Sequence, residues 1–212
     1  MTQDNPTPKE SHYFSASPEV ASHRHQFTLQ SARGDLIVTT ESGVFSRHGL
    51  DKGTAVLLET MRRHPMTTPP AGSNLCDVGC GSGAIALTLA AQFPTCVVYA
   101  VDVNERARRL CAENAKQNNI SNIVVASPEE IDPALQFATV WSNPPIRIGK
   151  HELHELLTVW LSRLLPDGHA DIVVNKNLGA DSLAQWITSQ GYNVTRLASS
   201  KGFRVLDITR SH

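Results

Sequence analysis

The sequence predicts an α/β fold: a mainly parallel sheet of seven strands, helices on both of its faces and an antiparallel hairpin at the C-terminal end. Three observations predict it. From residue 73 onward, short apolar runs alternate with segments of helical period. A glycine-rich turn, Gly79-Cys80-Gly81-Ser82-Gly83, joins the first apolar run to the first helical one. Near the C terminus, YNVTRL and FRVLDITR are separated by only a short turn containing Lys201-Gly202. Parallel neighbours need crossovers, which helices supply, whereas strands joined by so short a turn must pair antiparallel.

Taken in order, residues 1–22 are polar and hold no sustained period, so they are set apart as an N-terminal tail. Residues 23–212 are expected to form one domain, with 23–72 leading into a core of 73–212. QFTLQ and DLIVTT flank Ser31-Ala32-Arg33-Gly34, which predicts a hairpin turning near Gly34. A helix over 51–64 follows, with Asp51 as N-cap, Val56, Leu57, Leu58 and Met61 as its apolar residues, and Pro65 beyond its end. The core then reads as strands at 73–78, 96–102, 122–126, 138–142 and 169–174. Helices are expected at 82–93, 104–118, 150–165 and 180–190. The 138–142 strand is placed beside the 73–78 strand.

Composition narrows the function classes. The chain has 212 residues, about what one large domain uses. Nineteen Lys and Arg against twenty Asp and Glu give a net charge of −1, so no global positive field draws it to nucleic acid or anionic lipid. Any nucleic-acid site must be a local patch. Cys76, Cys80, Cys96 and Cys111 lie in apolar or helical contexts and read as reduced core thiols. The N terminus lacks the layout of a signal peptide, and no run approaches a membrane span. A cytoplasmic protein is expected, monomeric rather than oligomeric.

The chemistry starts at the glycine turn, where the backbone bends tightly and a ligand can lie against it. Gly79, Gly81 and Ala84 also satisfy the dinucleotide fingerprint, so the turn alone leaves the ligand open. Charge separates the two readings: Asp77, two residues upstream, suits the cationic amine and sulfonium of S-adenosylmethionine and repels a pyrophosphate. Its competing role is as a helix or turn cap. Asp102 ends the second core strand, where a carboxylate can accept both ribose hydroxyls of either cofactor or cap the next helix. Ser127 lies where a polar residue could approach adenine, although Ser-Pro-Glu-Glu is equally a helix start.

Asn143-Pro144-Pro145 follows the 138–142 strand. Ligands of open parallel sheets lie beyond the carboxyl ends of the strands, so Asn143 and the glycine turn should meet. Two prolines stiffen the loop and remove backbone donors. The Asn side-chain oxygen and the Pro144 carbonyl are then left to accept hydrogen bonds from an NH2 group. An exocyclic amine is a poor nucleophile, because its lone pair is delocalised into the ring. Accepting both N–H bonds would aim that lone pair at a methyl donor and offset the charge growing on nitrogen.

With these residues in view, the D-x-G-x-G turn, Asp102 and Asn-Pro-Pro resemble the class I S-adenosylmethionine-dependent methyltransferases, and specifically their amino-methylating branch. The stretches Gly43-Val44-Phe45-Ser46-Arg47-His48-Gly49-Leu50-Asp51-Lys52-Gly53-Thr54 and Asn143 to Lys150 resemble, more closely, the small-domain family of ribosomal small-subunit RNA guanine-N2 methyltransferases. The resemblance implies a Rossmann-like methyltransferase fold from about residue 26 to 210, S-adenosylmethionine as cofactor without a metal, and ribosomal RNA or a ribosomal subunit as partner. Carried over by position, Asp77, Gly79, Gly81, Gly83, Asp102, Val103 and Ser127 would hold the cofactor, with Phe45 and Thr54 closing over its methionine end. Asn143, Pro144 and Pro145 would be catalytic. Ile146, Arg147 and Lys150 would meet the substrate. Two departures stand out: the additional N-terminal domain of longer members is absent from this sequence, and the family's usual Ser-Asp after the third strand is Ser127-Pro128 here.

Other readings compete with this one. His151-Glu152-Leu153-His154-Glu155 resembles a zinc-protease helix, but its second histidine comes one residue early and no third ligand is identifiable. His23, Arg24, His25, Arg47 and His48 are candidates for a basic rim. A protein glutamine or a small-molecule amine is the alternative acceptor. A nicotinamide-dependent oxidoreductase and a non-catalytic RNA-binding module are the rivals from other classes.

Overall fold

The computed structural model describes residues 23–42, 44, 49–144 and 149–211. Two strands, β1 (Arg24–Ser31) and β2 (Gly34–Glu41), pair antiparallel, with Ser31 opposite Gly34 across the turn. Gly34 takes a φ of 101°, a conformation that costs a glycine little. Helix α1 (Lys52–Arg63) follows, and its capping residue is Asp51, as the sequence predicts.

The core is a seven-stranded sheet built from β3 (Asn74–Val78), β4 (Val97–Val101), β5 (Ile123–Ala126), β6 (Phe137–Ser142), β7 (Leu164–Asn175), β8 (Tyr192–Ser200) and β9 (Phe203–Arg210). Its order is β5-β4-β3-β6-β7-β9-β8. The first five of these strands run parallel, and β9 pairs antiparallel with both β7 and β8. The crossovers are α2 (Ala84–Gln92), α3 (Glu105–Gln117), α4 (Lys150–Ser162) and α5 (Ala180–Ser189). The fold class and the neighbourhood of β3 and β6 are therefore as expected.

Side-chain alternation along the strands divides the core in two. Leu75, Val98, Trp141, Val173 and Val205 face α1, α2 and α3, whereas Cys76, Val78, Val140, Ile172 and Leu206 face α4 and α5. Trp141 and Phe137 are fully buried, and each such side chain contributes about 1.5–3 kcal/mol. All four cysteines are free and buried. No helix among the described residues is long and apolar enough to cross a membrane.

One segment departs from expectation. The helix expected to reach residue 165 ends at Ser162, and β7 opens at Leu164, five residues before the predicted start. Leu164 is fully buried opposite Phe137, and the next described pair is Thr139 with His169, so residues 165–168 bulge out of the ladder. Pro166 lacks the N–H that pairing requires, and Gly168 lies where a Cβ would come 2.9 Å from the Phe137 carbonyl oxygen. Apolar LL at the helix end continued the helical period and hid this strand start.

Candidate active site

The site sits where the strand order reverses. From β3 the chain builds outward through β4 and β5, then returns to β6 on the other side, leaving a crevice beyond the ends of β3 and β6. Val78 is opposite Ser142, and the Ser142 hydroxyl donates to the Val78 carbonyl at 2.7 Å. The next residues on the two strands, Gly79 and Asn143, therefore leave the sheet side by side.

Gly79, Gly81 and Gly83 have φ values of 76°, 53° and 86°, a region that favours glycine. Their reasons differ. A Cβ on Gly79 would meet nothing within 4 Å, so that side of the turn is open to a ligand. A Cβ on Gly83 would come 2.6 Å from Cys111 Sγ. Gly83, expected among the cofactor residues, is thus required first by the packing of the turn on α3.

Asp77 is fully buried, and its Oδ2 accepts from the Ala86 N–H at 2.9 Å. This covers part of the α2 N terminus, whose capping residue Gly83 offers no side chain. Its Oδ1 has no hydrogen-bond partner. Burial, and secondarily the Asp102 charge, push the Asp77 carboxyl up to about 8 despite the opposing Ala86 bond. The sequence suggests a standing negative charge here. Desolvation instead keeps the proton on until a cation or a higher pH removes it.

Asp102 is partly buried and grips the turn from the next strand. Its Oδ2 accepts from Gly81 N–H at 2.9 Å and its Oδ1 from Asn104 N–H at 2.9 Å. Burial raises its pKa against those two bonds and the Arg108 charge. The cap of α3 is Asn104, so Asp102 does not cap that helix itself. Val103 is 46% exposed, an apolar surface beside this carboxylate. Ser127 precedes a 3-10 turn over Pro128–Glu130 and forms a reciprocal capping box with Glu130, the helix-start reading of that segment.

On the acceptor side, the Asn143 Nδ2 donates to Asp51 Oδ1 at 2.6 Å and to Thr54 Oγ1 at 3.0 Å. Both amide protons are thereby engaged, and Oδ1 remains as an acceptor. Thr54, expected over the methionine end of the cofactor, holds Asn143 and lines the same cleft as Gly79 and Cys80. Pro144 is buried behind it. Lys150 is the exposed first residue of α4. Phe45, Pro145, Ile146 and Arg147 lie outside the described residues.

Several residues on this site escaped sequence reasoning. Asp51 was legible only as a helix cap. Its partner Asn143 is 92 residues away, a separation that no local pattern bridges. Gly53 is pressed into the site, since a Cβ there would lie 3.0 Å from Phe203 Cε1 and 3.1 Å from Asn143 Oδ1. Phe27 of β1 reaches the cleft, because the hairpin is fastened to α3 and the glycine turn. The buried Asn114 makes that joint, exchanging bonds with Thr39 backbone at 2.9 and 2.8 Å and donating to the Ser82 carbonyl at 2.8 Å. Only the position of Asp51 and Gly53 within the Gly43–Thr54 stretch signalled any of this.

Of the residues expected to form a basic rim, Arg24 is held in ion pairs among the described residues. Arg24 is committed to Glu41 at 3.0 Å and Glu113 at 2.9 Å, and Arg47 and His48 lie outside the described residues. His151 pairs along its helix with Glu155 at 3.5 Å, while His154 stacks on Trp186 with centroids 3.7 Å apart. Among the described residues no group of three or more His, Cys, Asp and Glu is disposed to hold a metal ion.

Comparison with known proteins gives a consistent picture. Residues 35–207 match the family described as Methyltransferase small domain. The chain is 33% identical over 198 residues to the uncharacterized protein YbxB of Bacillus subtilis, an alignment that covers 92% of this chain and 96% of that protein. It is 32% identical over 200 residues to Ribosomal RNA small subunit methyltransferase C of Stutzerimonas stutzeri, covering 92% of this chain and 57% of the relative. The chain thus spans little more than half the length of that methyltransferase. Among solved structures, the Thermus thermophilus 16S rRNA N2 methyltransferase RsmC, in complex with AdoMet and guanosine, superposes with a TM-score of 0.73 at 20% identity, over 91% of this chain and 52% of that one. A ribosomal protein L11 methylase from Lactobacillus delbrueckii gives 0.64 at 20% identity, over 77% and 81%. Likeness at that identity establishes a shared fold.

Proposed function

The chain belongs to the methyltransferase small domain family, and on that premise we propose that it is an S-adenosylmethionine-dependent N-methyltransferase acting on guanine N2 of small-subunit ribosomal RNA. The observation that carries the reading is the fixed orientation of Asn143. With Nδ2 held by Asp51 and Thr54, Oδ1 is left to meet an incoming group as an acceptor, which suits the N–H donors of an amine.

The residues present fit the cofactor. Gly79 leaves open space above the turn, Asp77 Oδ1 is a buried acceptor without a donor, and each Asp102 oxygen has a lone pair beyond the one its backbone bond uses. Asp102 would take the ribose hydroxyls, the exposed Val103 would pack on the base and Asp77 would answer the positive charge of the methionine end. Bound there, S-adenosylmethionine supplies a methyl group on a sulfonium, ready for in-line displacement. Asn143 Oδ1 and the Pro144 carbonyl would accept the two N–H bonds of the amine, turning its lone pair out of conjugation. They would also stabilise the positive charge that nitrogen gains. Reaching a base in structured RNA needs an unpaired nucleotide or one flipped out, at a cost of a few kcal/mol.

The relatives named Ribosomal RNA small subunit methyltransferase C support ribosomal RNA over a protein or small-molecule amine. The test is transfer of labelled methyl from S-adenosylmethionine into separated pools of ribosomal RNA, ribosomal protein and metabolites. Label in small-subunit RNA, recovered as N2-methylguanosine, is the expected result. Label confined to protein or metabolites refutes the RNA acceptor.

A further inference from the structure

We propose that Lys52, Lys150, Lys176 and Lys201 form a phosphate-binding rim around the acceptor side of the Asn143 cleft, and that it fits the backbone of single-stranded RNA flanking the target base. This rests on the RNA-acceptor reading above. The chain holds six lysines, at positions 9, 52, 116, 150, 176 and 201, and these four lie on the one edge of the sheet where the parallel strands end.

Lys52, Lys176 and Lys201 are joined through backbone and packing. Lys52 opens α1, and its neighbour Gly53 is the residue wedged between Asn143 Oδ1 and Phe203. Phe203 follows the turn that carries Lys201, and in that turn the Gly202 carbonyl accepts from the Lys176 N–H at 2.8 Å. Lys176 directly follows β7, the strand next to β6, and Lys150 opens α4, the helix that follows β6 in the chain.

Their charge is uncommitted. All four are exposed, and none joins an ion pair with a described residue. Many of the arginines are engaged: Arg24, Arg106 and Arg109 by Glu41, Arg62 and Arg63 by Glu59, and Arg204 by Asp181. Of the carboxylates at this edge, Asp51 is taken by three N–H donors, Asp102 by two, Asp181 by Arg204 and Glu130 by the Ser127 N–H, while Glu152 stands in the first turn of α4. Lys52 and Lys150 stand at the first residue of a helix, where the macrodipole disfavours a cation, so helix stability does not account for them. A bound phosphate would reverse that penalty. Lysine is a point charge without the fork geometry that reads a base edge, so such a rim grips backbone and leaves base choice to the cleft. The groove between α1 and β8, which Lys201 also lines, is by itself a poorer candidate, because its Arg63 is neutralised by Glu59.

The experiment follows the anisotropy of a labelled single-stranded RNA oligonucleotide containing one guanine, across a potassium chloride titration. S-adenosylhomocysteine calorimetry and methyl transfer are run alongside. The variant Lys52→Gln/Lys150→Gln/Lys176→Gln/Lys201→Gln should keep its S-adenosylhomocysteine affinity, bind RNA at least about tenfold more weakly at low salt, and lower the slope of log affinity against log salt by about 3. Lys116→Gln, at the opposite end of α3, should change neither. If the fourfold variant loses S-adenosylhomocysteine binding, Lys176→Gln/Lys201→Gln carries the test with a slope change of about 1.4. Equal RNA affinity and slope in wild type and variant overturns the rim. Tighter wild-type binding of a polyglutamate peptide than of RNA overturns the RNA assignment in favour of an acidic protein. Rim-dependent RNA binding without methyl transfer to any RNA supports the rim and refutes the acceptor reading instead.

Discussion

Asp51 Oδ1 and Asn143 Nδ2 lie 2.6 Å apart, and the same carboxylate oxygen accepts the Gly53 and Thr54 N–H groups at 2.8 and 3.0 Å. One atom therefore starts α1 and sets the orientation of the amide at the candidate active centre. A helix cap and an acceptor rotamer are coupled, so damage to the first reaches the second.

Asp51→Ala should accordingly do two things. Losing the cap costs about 1 kcal/mol of stability. Freeing the Asn143 amide should reduce turnover by at least about tenfold, roughly the effect of one transition-state hydrogen bond, with S-adenosylhomocysteine affinity almost intact. Asp51→Asn keeps an acceptor oxygen and should recover most of the turnover. Asn143→Ala should match the loss, and the double variant should be no worse than Asn143→Ala alone. Steady-state kinetics with a thermal melt checks this, and additive losses would mean that Asp51 acts through something other than Asn143.

Gly53→Ala isolates the close approach. Alanine improves helix propensity by up to about 1 kcal/mol, yet its methyl would sit 3.0 Å from Asp51 Oδ1 and 3.1 Å from Asn143 Oδ1. The expected outcome is a drop in kcat out of proportion to any change in melting temperature. Phe203→Leu removes the ring whose Cε1 would be 3.0 Å away, and should restore part of the activity. Unchanged kcat in Gly53→Ala would show that the acceptor side tolerates displacement.

Asp102→Ala should raise the dissociation constant for S-adenosylhomocysteine, measured by calorimetry. The carboxylate would lose its ribose partners and also release the Gly81 N–H, so the turn itself loosens. Asp102→Asn keeps one acceptor oxygen and should fall between wild type and alanine. An unchanged constant in the alanine variant removes the ribose role.

Asp77 gives a pH dependence with a definite sign. Its carboxyl is raised by burial from the ordinary 3.8 to about 8, so between those values the folded chain holds a proton that the unfolded chain has released. The stability this confers is complete below 3.8, declines by up to about 1.4 kcal/mol per pH unit above it and is gone above about 8. Asp77→Asn has no such titration, so its stability relative to wild type should climb with pH across that window. A cationic ligand favours the ionised form, so S-adenosylmethionine affinity should rise with pH over the same range and flatten in Asp77→Asn. Denaturant unfolding and calorimetry at several pH values test both. A pH-independent stability difference would place the Asp77 pKa near its ordinary value.

The element boundaries show where local information sufficed. Asp51 as cap of α1, Gly34 at the hairpin turn and the short Lys201-Gly202 connection each rest on a preference that a few residues express alone. The start of β7 did not, because Leu164 and Leu165 extend a helical period and their assignment depends on Phe137 offering a ladder partner. The site divides in the same way. Asp77, Asp102, Asn143 and the glycines are legible as residue types at strand ends. Their partners are not: Asp77 serves the α2 N terminus, and Gly83 is glycine because Cys111 lies beneath it.

By itself the sequence determined the alternation of strands and helices, the position of the sharp turns and the residue types that can face a cofactor and an amine, since these are set by chemistry and spacing within a few residues. Tertiary structure alone decided that Asp51 and Thr54 orient Asn143, that Phe203 closes on Gly53, and that desolvation keeps a proton on Asp77. Each of these depends on a contact or a burial that exists only once strands distant in sequence have been laid side by side.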